Sequence, residues 1–184
     1  MHYRRHYNMK TIKLKSVDSE SVDIIVNIHF DAVHNGDAAH FYDEDILNDW
    51  SPSISKARIA DFKKRLLKTQ PIVMLAYLDE KPIGFGIFDK KQQRIGAIYV
   101  KTPYTGLNVG TTLLKEFESI AIENCCEQLS LDSSLNAKTF YEKNGFESIS
   151  EGFFSLPSGR QMKSVSMSKK LIKRSSHSEK IVAD

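Results

Sequence analysis

The stretch Ile98-Tyr-Val-Lys-Thr-Pro-Tyr-Thr-Gly-Leu-Asn-Val-Gly-Thr-Thr-Leu-Leu114 decides how this chain folds. The apolar run 95–100 that leads into it is typical of a β-strand, and Pro103 and Gly106 end that strand. The apolar residues that follow recur at helical spacing, namely Val109, Leu113, Leu114, Phe117 and Ile120. The pattern predicts a strand, a tight turn and a helix.

The turn before this helix predicts an anion site. The unpaired N–H groups of the first helical turn, roughly residues 107–110, point in front of the helix, and the positive end of the helix dipole lies behind them. Phosphate is the usual occupant of such a site. The turn has neither the Gly-Lys-Ser/Thr ending of a P-loop nor the three glycines of a dinucleotide-binding fingerprint. The sequence therefore predicts a phosphate group held by another kind of turn.

A second segment, Leu131-Asp-Ser-Ser-Leu-Asn-Ala-Lys-Thr-Phe-Tyr-Glu-Lys-Asn-Gly-Phe-Glu147, narrows the choice. It begins as the end of a strand, passes through a short polar loop and forms one short helix from about Ala137 to Lys143. The helix stops at Asn144-Gly145. Gly145 occupies the position where a helix end requires a left-handed residue.

Both segments resemble the GNAT N-acetyltransferase superfamily, and the resemblance covers roughly residues 11–171. In that superfamily a Gln/Arg-x-x-Gly-x-Gly/Ala turn after the fourth strand holds the pyrophosphate of acetyl-CoA. Thr105 stands here in place of the Gln or Arg and Asn108 in place of the first Gly, whereas Gly110 matches. Asn tolerates the left-handed region better than most residues, so the backbone can still bend. The second segment matches the family signature at Asn136, Ala137, Phe140, Tyr141, Gly145 and Phe146.

The resemblance implies an α/β fold with a mixed, mostly antiparallel central sheet of about six to seven strands, flanked by about four to five helices. Two parallel strands splay apart in this family and admit the pantetheine arm. We expect an acetyltransferase domain over 11–171, an N-terminal extension over 1–10 and a flexible tail over 172–184.

Taken in order, the rest of the chain predicts elements that fit this fold. Asp18 or Ser19 caps a first helix that ends near residues 34–36, and a helix follows over 56–68. That second helix should turn one apolar face inward, consisting of Ile59, Phe62, Leu66 and Leu67. The remaining runs predict strands, at 11–17, 72–78, 83–88, 128–132 and in a hairpin over 148–167. The strand over 128–132 should be parallel to its neighbour because a helix intervenes.

Composition places the chain among ordinary globular domains. Its 184 residues are 41% hydrophobic and 27% charged, with a formal net charge of +3 that comes largely from the two ends. The two cysteines, Cys125 and Cys126, are adjacent and lack metal-ligand spacing. We expect a cytoplasmic protein, a monomer or homodimer, with no metal and no nucleic-acid or membrane partner.

The resemblance assigns the cofactor contacts. They lie at the strand end and in the turn, at Ile98, Tyr99, Val100, Thr105, Gly106, Leu107, Asn108, Val109, Gly110 and Thr111. A family bulge near 98–100 would free a backbone N–H to polarise the acetyl carbonyl. Asn136 would bind the pantetheine amides, or it caps the helix that follows.

Tyr141 is the predicted proton donor for the leaving thiolate, because the family places such a tyrosine beside the cofactor sulfur; packing on its own helix is the alternative. The general base is less determined. Asp132 faces the cleft at a strand end, His40 and Glu44 are further candidates, and a water relay would serve equally. His29 falls on an apolar helix face, where a hydrogen-bonded core histidine is the usual outcome.

The acceptor should bind along the acidic, aromatic stretch 37–50, which would lie beside the acceptor pocket in the family. We predict substrate contacts from His40, Phe41, Glu44 and Trp50, and the acidic residues favour a cationic acceptor unless they form a solvated helix face. The sequence thus predicts an acetyl-CoA-dependent N-acetyltransferase that acetylates a primary amine of a small molecule or exposed peptide by direct attack in a ternary complex. The alternatives are an inactive acyl-CoA- or peptide-binding module on the same fold and, less favoured, a nucleotide-binding protein.

Overall fold

A computed structural model describes residues 11–17 and 21–171 of the chain. Seven strands form one sheet in the order β1-β2-β3-β4-β5-β7-β6. The strands are β1 Lys13–Ser16, β2 Ile72–Leu78, β3 Lys81–Asp89, β4 Arg94–Val100, β5 Gln128–Ser134, β6 Glu147–Ser155 and β7 Gln161–Lys170. The helices are α1 Val22–His34, α2 Glu44–Trp50, α3 Lys56–Thr69, α4 Val109–Glu123 and α5 Lys138–Lys143. The predicted fold class is confirmed, while the helix cap at Asp18 or Ser19, the extension 1–10 and the tail 172–184 lie outside the described residues.

The sheet carries helices on both faces. On one face, α4 and α5 bury Phe117 and Tyr141 against Phe88 and Leu131 of the strands. On the other, α1 buries Ile25 and Ile28 against β2 and β3, and Phe62 and Leu66 of α3 pack against this cluster. Phe62 and Leu66 thus face inward, as predicted for α3. Leu67 does not, since it is 60% exposed. The prediction for Leu67 is wrong because only a narrow stripe of α3 reaches the sheet.

The parallel pair β4–β5 opens the sheet. One ladder pair, Arg94↔Ser130, joins the two strands, with Ser130 N donating to Gln93 O at 3.1 Å. Beyond it each strand pairs only with its outer neighbour, β3 or β7. The strands therefore separate toward their carboxyl ends and leave a cleft, as the family resemblance implied.

The bulge in β4 lies elsewhere than predicted. Ile87 and Phe88 of β3 pair with Ala97 and Ile95, so the extra residue of β4 is Gly96. Residues 98–100 pair regularly with β3, and the predicted bulge there is wrong. A residue without a side chain bends the strand at little steric cost, which explains why the irregularity falls on the glycine.

Two further boundaries differ from the predictions. Strand β5 continues to Ser134 because it pairs with β7 along its whole length. The local sequence of β5 does not predict this pairing. The short helix α5 begins at Lys138 after a 3₁₀ turn over Leu135–Ala137. Within the described ranges, no helix combines the length and apolar character that crossing a membrane requires.

Candidate active site

The cleft between β4 and β5 contains a cavity of about 240 Å³. Its walls come from β4, β5, the turn after β4, the start of α5, the end of α1 and the β6–β7 hairpin. Thr105, Asn136 and Tyr141 of the predicted site line it, together with Asp132 and Trp50. The fold therefore brings the two sequence segments together at one cavity.

At the mouth of the cavity, α4 begins with free backbone donors. Asn108 is the N-cap with φ 61°, so it adopts the left-handed conformation that the turn was predicted to need. Among the described residues no side chain caps this helix, which leaves the N–H groups of its first turn available. Gly110 lies where an added Cβ would come within 3.1 Å of the Phe140 ring, so a small residue is needed there. Gly106 precedes the helix with φ 77°, and Leu107 beside it is 51% exposed.

The Thr105 side chain is turned away from the helix start. Its hydroxyl donates to Thr102 O at 2.9 Å within the same loop. The donors left unpaired at the start of α4 are therefore backbone N–H groups and not the side chain at position 105.

The free edge of β4 supplies a second set of donors. Lys101 N donates to Ile83 O at 2.8 Å, so the N–H groups of alternate residues point toward β3. In an antiparallel ladder the intervening residues, Ile98 and Val100, then point their N–H groups the other way, into the cleft. Both residues line the cavity. These N–H groups are free because β5 has separated from β4 at this point, and not because of a bulge at 98–100.

Asn136 carries an unsatisfied acceptor. Its Oδ1 atom is buried and has no hydrogen-bond partner within the described part of the chain. The side chain does not cap a helix, since α5 has Ala137 at its N-cap and no side-chain cap bond. The capping alternative is therefore wrong, and this atom is free to accept a hydrogen bond from a molecule that enters the cavity.

Tyr141 lies against the cavity with its ring packed edge-on against Phe140 and Phe146, at centroid distances of 4.9 and 5.6 Å. The residue is 7% exposed. Burial, with a smaller contribution from the nearby Tyr99, raises the pKa of the Tyr141 phenol above its usual range. The hydroxyl is therefore protonated at neutral pH, as a proton donor must be.

Asp132 is paired at the closed end of the cleft. Its Oδ2 atom accepts a hydrogen bond from Arg94 Nη2, the residue that also forms the β4–β5 ladder pair. The pair gives Asp132 a clear structural task, which is to fasten the two strands where the cleft begins.

The predicted acceptor residues are divided by the structure. Trp50 lines the cavity, and its Nε1 atom donates to the hydroxyl of Tyr99 at 3.1 Å. His40, Phe41 and Glu44 are exposed and do not line the cavity. They lie on the outer side of the 3₁₀ turn Asp37–His40 and of α2, whose inner side is apolar.

Most of the acidic stretch holds the structure together. Asp43 caps α2 by accepting from Ile46 N at 2.9 Å. Asp45 pairs with Arg160 at 3.0 Å, and Asp49 accepts from the backbone and hydroxyl of Ser158 in the β6–β7 turn. Asp37 alone of the stretch's carboxylates reaches the cavity wall.

The cavity wall is therefore electrostatically one-sided. Its charged members among the described residues are the carboxylates of Asp37 and Asp132, with no lysine, arginine or histidine. Phe154 and Met162 complete the wall from the distant β6–β7 hairpin. The local sequence at these two positions carries no signal of such a role, because only the register of the hairpin with β5 brings them there.

Comparisons with known proteins agree with this geometry. The model of the acetyltransferase (GNAT) domain family matches residues 37–171. An uncharacterized N-acetyltransferase, YafP of Escherichia coli K12, is 29% identical over 114 residues, which are 62% of this chain and 67% of that protein.

Two solved structures extend the likeness over nearly the whole chain. A GCN5-related N-acetyltransferase from Rhodopseudomonas palustris has a TM-score of 0.78 and 25% identity, covering 90% of this chain and 99% of its own. The PaiA N-acetyltransferase of Thermoplasma acidophilum, solved with coenzyme A, has a TM-score of 0.68 and 20% identity, covering 87% and 99%. The chain therefore belongs to the GNAT family of acetyltransferases and is an N-acetyltransferase.

Proposed function

We propose that this protein transfers the acetyl group of acetyl-CoA to a primary amine by direct attack in a ternary complex. The observation that carries the proposal is the cleft between β4 and β5, in or beside which three sets of groups have no hydrogen-bond partner among the described residues. These are the first-turn N–H groups of α4, the edge N–H groups of Ile98 and Val100, and the orphaned Oδ1 of Asn136. PaiA of Thermoplasma acidophilum, which shares the fold, binds coenzyme A, and this supports the same class of ligand here.

Each set of unpaired groups suits one part of acetyl-CoA. The α4 terminus would bind the pyrophosphate, because N–H donors and a helix dipole favour anions. Asn136 Oδ1 would accept from a pantetheine amide N–H and so lose its desolvation cost. The edge N–H groups of β4 would donate to the second pantetheine amide and to the thioester carbonyl, which becomes an oxyanion during attack.

In the chemical step the amine nitrogen forms a bond to the acetyl carbon and the C–S bond breaks. We assign Tyr141 as the donor that protonates the departing thiolate, because its hydroxyl is protonated and lies at the cavity. The amine loses one proton in exchange. Asp132 was our candidate for that proton, but its pairing with Arg94 favours water in the open mouth of the cavity as the acceptor.

The cavity wall also suggests the kind of amine. Asp37 would attract a positive charge, and the aromatic faces of Trp50, Tyr99 and Phe154 can contact an alkyl chain or a cation. A negatively charged acceptor would meet the Asp37 carboxylate, and the Arg94 guanidinium nearby is already paired with Asp132. We therefore propose a small amine or peptide amine that carries no carboxylate at its far end.

An acceptor series of matched length tests this function. Pentylamine, 1,5-diaminopentane and 5-aminopentanoate differ mainly in the charge at the far end, which is neutral, positive or negative. With acetyl-CoA and purified protein, release of the CoA thiol should be fastest with the diamine and slowest with the amino acid, and mass spectrometry should detect the N-acetylated amine. Turnover of 5-aminopentanoate alone would overturn the cationic preference.

The alternative from the sequence, an inactive acyl-CoA-binding module, rests on the departures at Thr105 and Asn108, and neither of them removes the backbone N–H groups at the start of α4. Tight binding of acetyl-CoA, without thiol release in the presence of any amine, would support that function instead.

A further inference from the structure

A partly buried polar cluster lies behind Trp50 and Tyr99, which form the aromatic part of the cavity wall on the acceptor side, here called the acceptor wall. It consists of His29 on α1, Ser51 after α2 and Arg58 on α3. Arg58 Nη2 lies 2.8 Å from His29 Nδ1 and 3.0 Å from Ser51 Oγ, and Nη1 of the same guanidinium donates to Pro52 O. Ser51 Oγ is itself 3.0 Å from His29 Nδ1, and Ser51 is 0% exposed. One guanidinium therefore joins two helices and the loop between α2 and α3.

The contacts fix the protonation of His29. A guanidinium has donors and no acceptor, so Nδ1 of His29 must be the unprotonated, accepting nitrogen. Burial, followed by the positive charges of Arg58 and Arg65 on α3 and the nearby His34 on α1, lowers the pKa of His29 to about 3. The ring is thus neutral over the pH range in which an exposed histidine would titrate.

This neutral ring supports the aromatic part of the acceptor wall. The ring of His29 meets the ring of Tyr99 edge-on, at a centroid distance of 4.5 Å and an angle of 85°, and its centroid is 6.2 Å from that of Trp50. Trp50 directly precedes Ser51 in the chain, and the backbone carbonyl of Ser51 lies 2.7 Å from Nε2 of His34. The cluster therefore holds Trp50 and Tyr99, two of the three aromatic residues on the acceptor side of the cavity.

We infer that Arg58 and His29 are positioning residues for the amine acceptor, which act through Trp50 and Tyr99. Arg58 anchors the chain just after Trp50 and keeps His29 an uncharged partner for the Tyr99 ring. Neither residue lines the cavity. The inference rests on the proposed function for its kinetic consequence, whereas its structural consequence can be measured without any substrate.

The structural test uses fluorescence, because Trp50 is the single tryptophan of the chain. In the wild type, His29 does not titrate between pH 5 and 8, so Trp50 emission should be flat across this range. In Arg58→Met, loss of the adjacent positive charge and of the hydrogen bond to Nδ1 removes one cause of the lowered pKa of His29 while burial remains, so the imidazolium should form, and quench Trp50, at a higher pH than in the wild type. The double variant Arg58→Met with His29→Gln should be flat again. The other groups that face His29, namely Arg65, His34 and Tyr99, are unchanged in all of these proteins.

Two outcomes of the fluorescence test would overturn the inference. One is a folded Arg58→Met protein whose profile does not differ from that of the wild type down to the lowest pH at which both stay folded. The other is a quenching transition that persists in the double variant, which would assign it to a different group. Lys63→Met is the matched control, since it removes an exposed positive charge from the same helix and should behave as the wild type.

The kinetic test uses conservative variants, which should fold even if Arg58→Met does not. Arg58→Lys keeps the charge but cannot reach His29, Ser51 and Pro52 together, and His29→Gln keeps an acceptor but loses the ring. Each should raise the KM for 1,5-diaminopentane roughly tenfold, the effect expected from about one lost buried hydrogen bond, and leave the KM for acetyl-CoA unchanged. Equal changes in both KM values, or no change in either, would overturn the inference. If no amine is turned over, the proposed function fails, and the fluorescence profiles still decide whether Arg58 holds His29 neutral beside Trp50.

Discussion

The two sides of the cavity are built in different ways. The cofactor side comes from one continuous part of the chain, from β4 through α5, and presents mainly backbone N–H groups with the Asn136 and Tyr141 side chains. The acceptor side is assembled from α1, the turn after it, α2, β4 and the β6–β7 hairpin, and presents side chains such as Asp37, Trp50 and Phe154. Backbone donors persist when side chains change, so we expect the proposed cofactor side to tolerate the departures at Thr105 and Asn108. The acceptor side has no such protection, and its specificity follows from individual side chains.

The largest effect should come from Tyr141, which stands between the two sides. Tyr141→Phe removes the hydroxyl and keeps the ring that packs on Phe140 and Phe146. Loss of a general acid should lower kcat by roughly 10²- to 10⁴-fold, while the Kd for acetyl-CoA, measured by calorimetry, stays near the wild-type value. An unchanged kcat would remove Tyr141 from the chemistry and leave it a packing residue.

The next effect should be a pH dependence of the free energy of unfolding, which comes from His29 behind the acceptor side. The folded pKa of His29 is about 3 against an ordinary 6.5, so below pH 6.5 the unfolded chain binds a proton that the folded chain does not. This contribution to stability is therefore complete above pH 6.5 and is lost as the pH falls. Between pH 7 and pH 5 the free energy of unfolding should drop by about 2 kcal/mol from this group.

Urea unfolding of the wild type and of His29→Gln at both pH values isolates the contribution of His29 to the free energy of unfolding. The variant should lose about 2 kcal/mol less than the wild type over the same pH interval. Equal losses would mean that His29 is not held neutral in the folded protein.

On the cofactor side, acetyl-CoA binding should depend on the backbone conformation at position 108 and not on the chemistry of the side chain there. Asn108 has φ 61° and its side chain makes no cap bond. Asn108→Val places a β-branched residue in the left-handed region, at a cost of about 1–2 kcal/mol, and should weaken acetyl-CoA binding by roughly tenfold. Asn108→Gly should bind as well as the wild type. If glycine weakens binding as much as valine, the Asn108 side chain itself contacts the cofactor.

The smallest effect should follow from Asp37→Asn on the acceptor side. The carboxylate is exposed, so its attraction for a second ammonium is screened, and the preference for 1,5-diaminopentane over pentylamine should fall by roughly twofold to fivefold. The Kd for acetyl-CoA should not change, because Asp37 belongs to the opposite wall. A preference that survives the substitution would point to the aromatic faces as the source of selectivity.

This same division explains how far the sequence could predict the structure. The α4 turn, Gly145 and the Asn136–Tyr141 segment were identified correctly because local patterns and a family signature determine them. Gly145 has φ 85° as its position requires, and Asn108 has φ 61°. Backbone sites of this kind depend on a few neighbouring residues, and a single sequence contains that information.

The acceptor side was predicted less well because its members meet only in the folded chain. The chemistry of His40, Phe41 and Glu44 within an acidic stretch predicts a substrate role, yet helical periodicity turns these side chains outward. Of the acidic residues, Asp43 caps α2, and Asp45 and Asp49 bind residues of the β6–β7 turn. His29 was expected to be a hydrogen-bonded core histidine, and it does accept from Arg58, 29 positions away. Nothing local in the sequence indicates that this pair supports Trp50 and Tyr99.

Calorimetric titration of the purified protein with acetyl-CoA, with NAD as the comparison ligand, tests the central claim most directly. The uncapped α4 terminus and the Asn136 acceptor should bind acetyl-CoA at one site with a Kd on the order of 1–100 μM. NAD, which has a pyrophosphate but no pantetheine arm, should bind far more weakly. Absence of detectable heat with acetyl-CoA at about 1 mM would contradict the assignment of the cleft as the cofactor site.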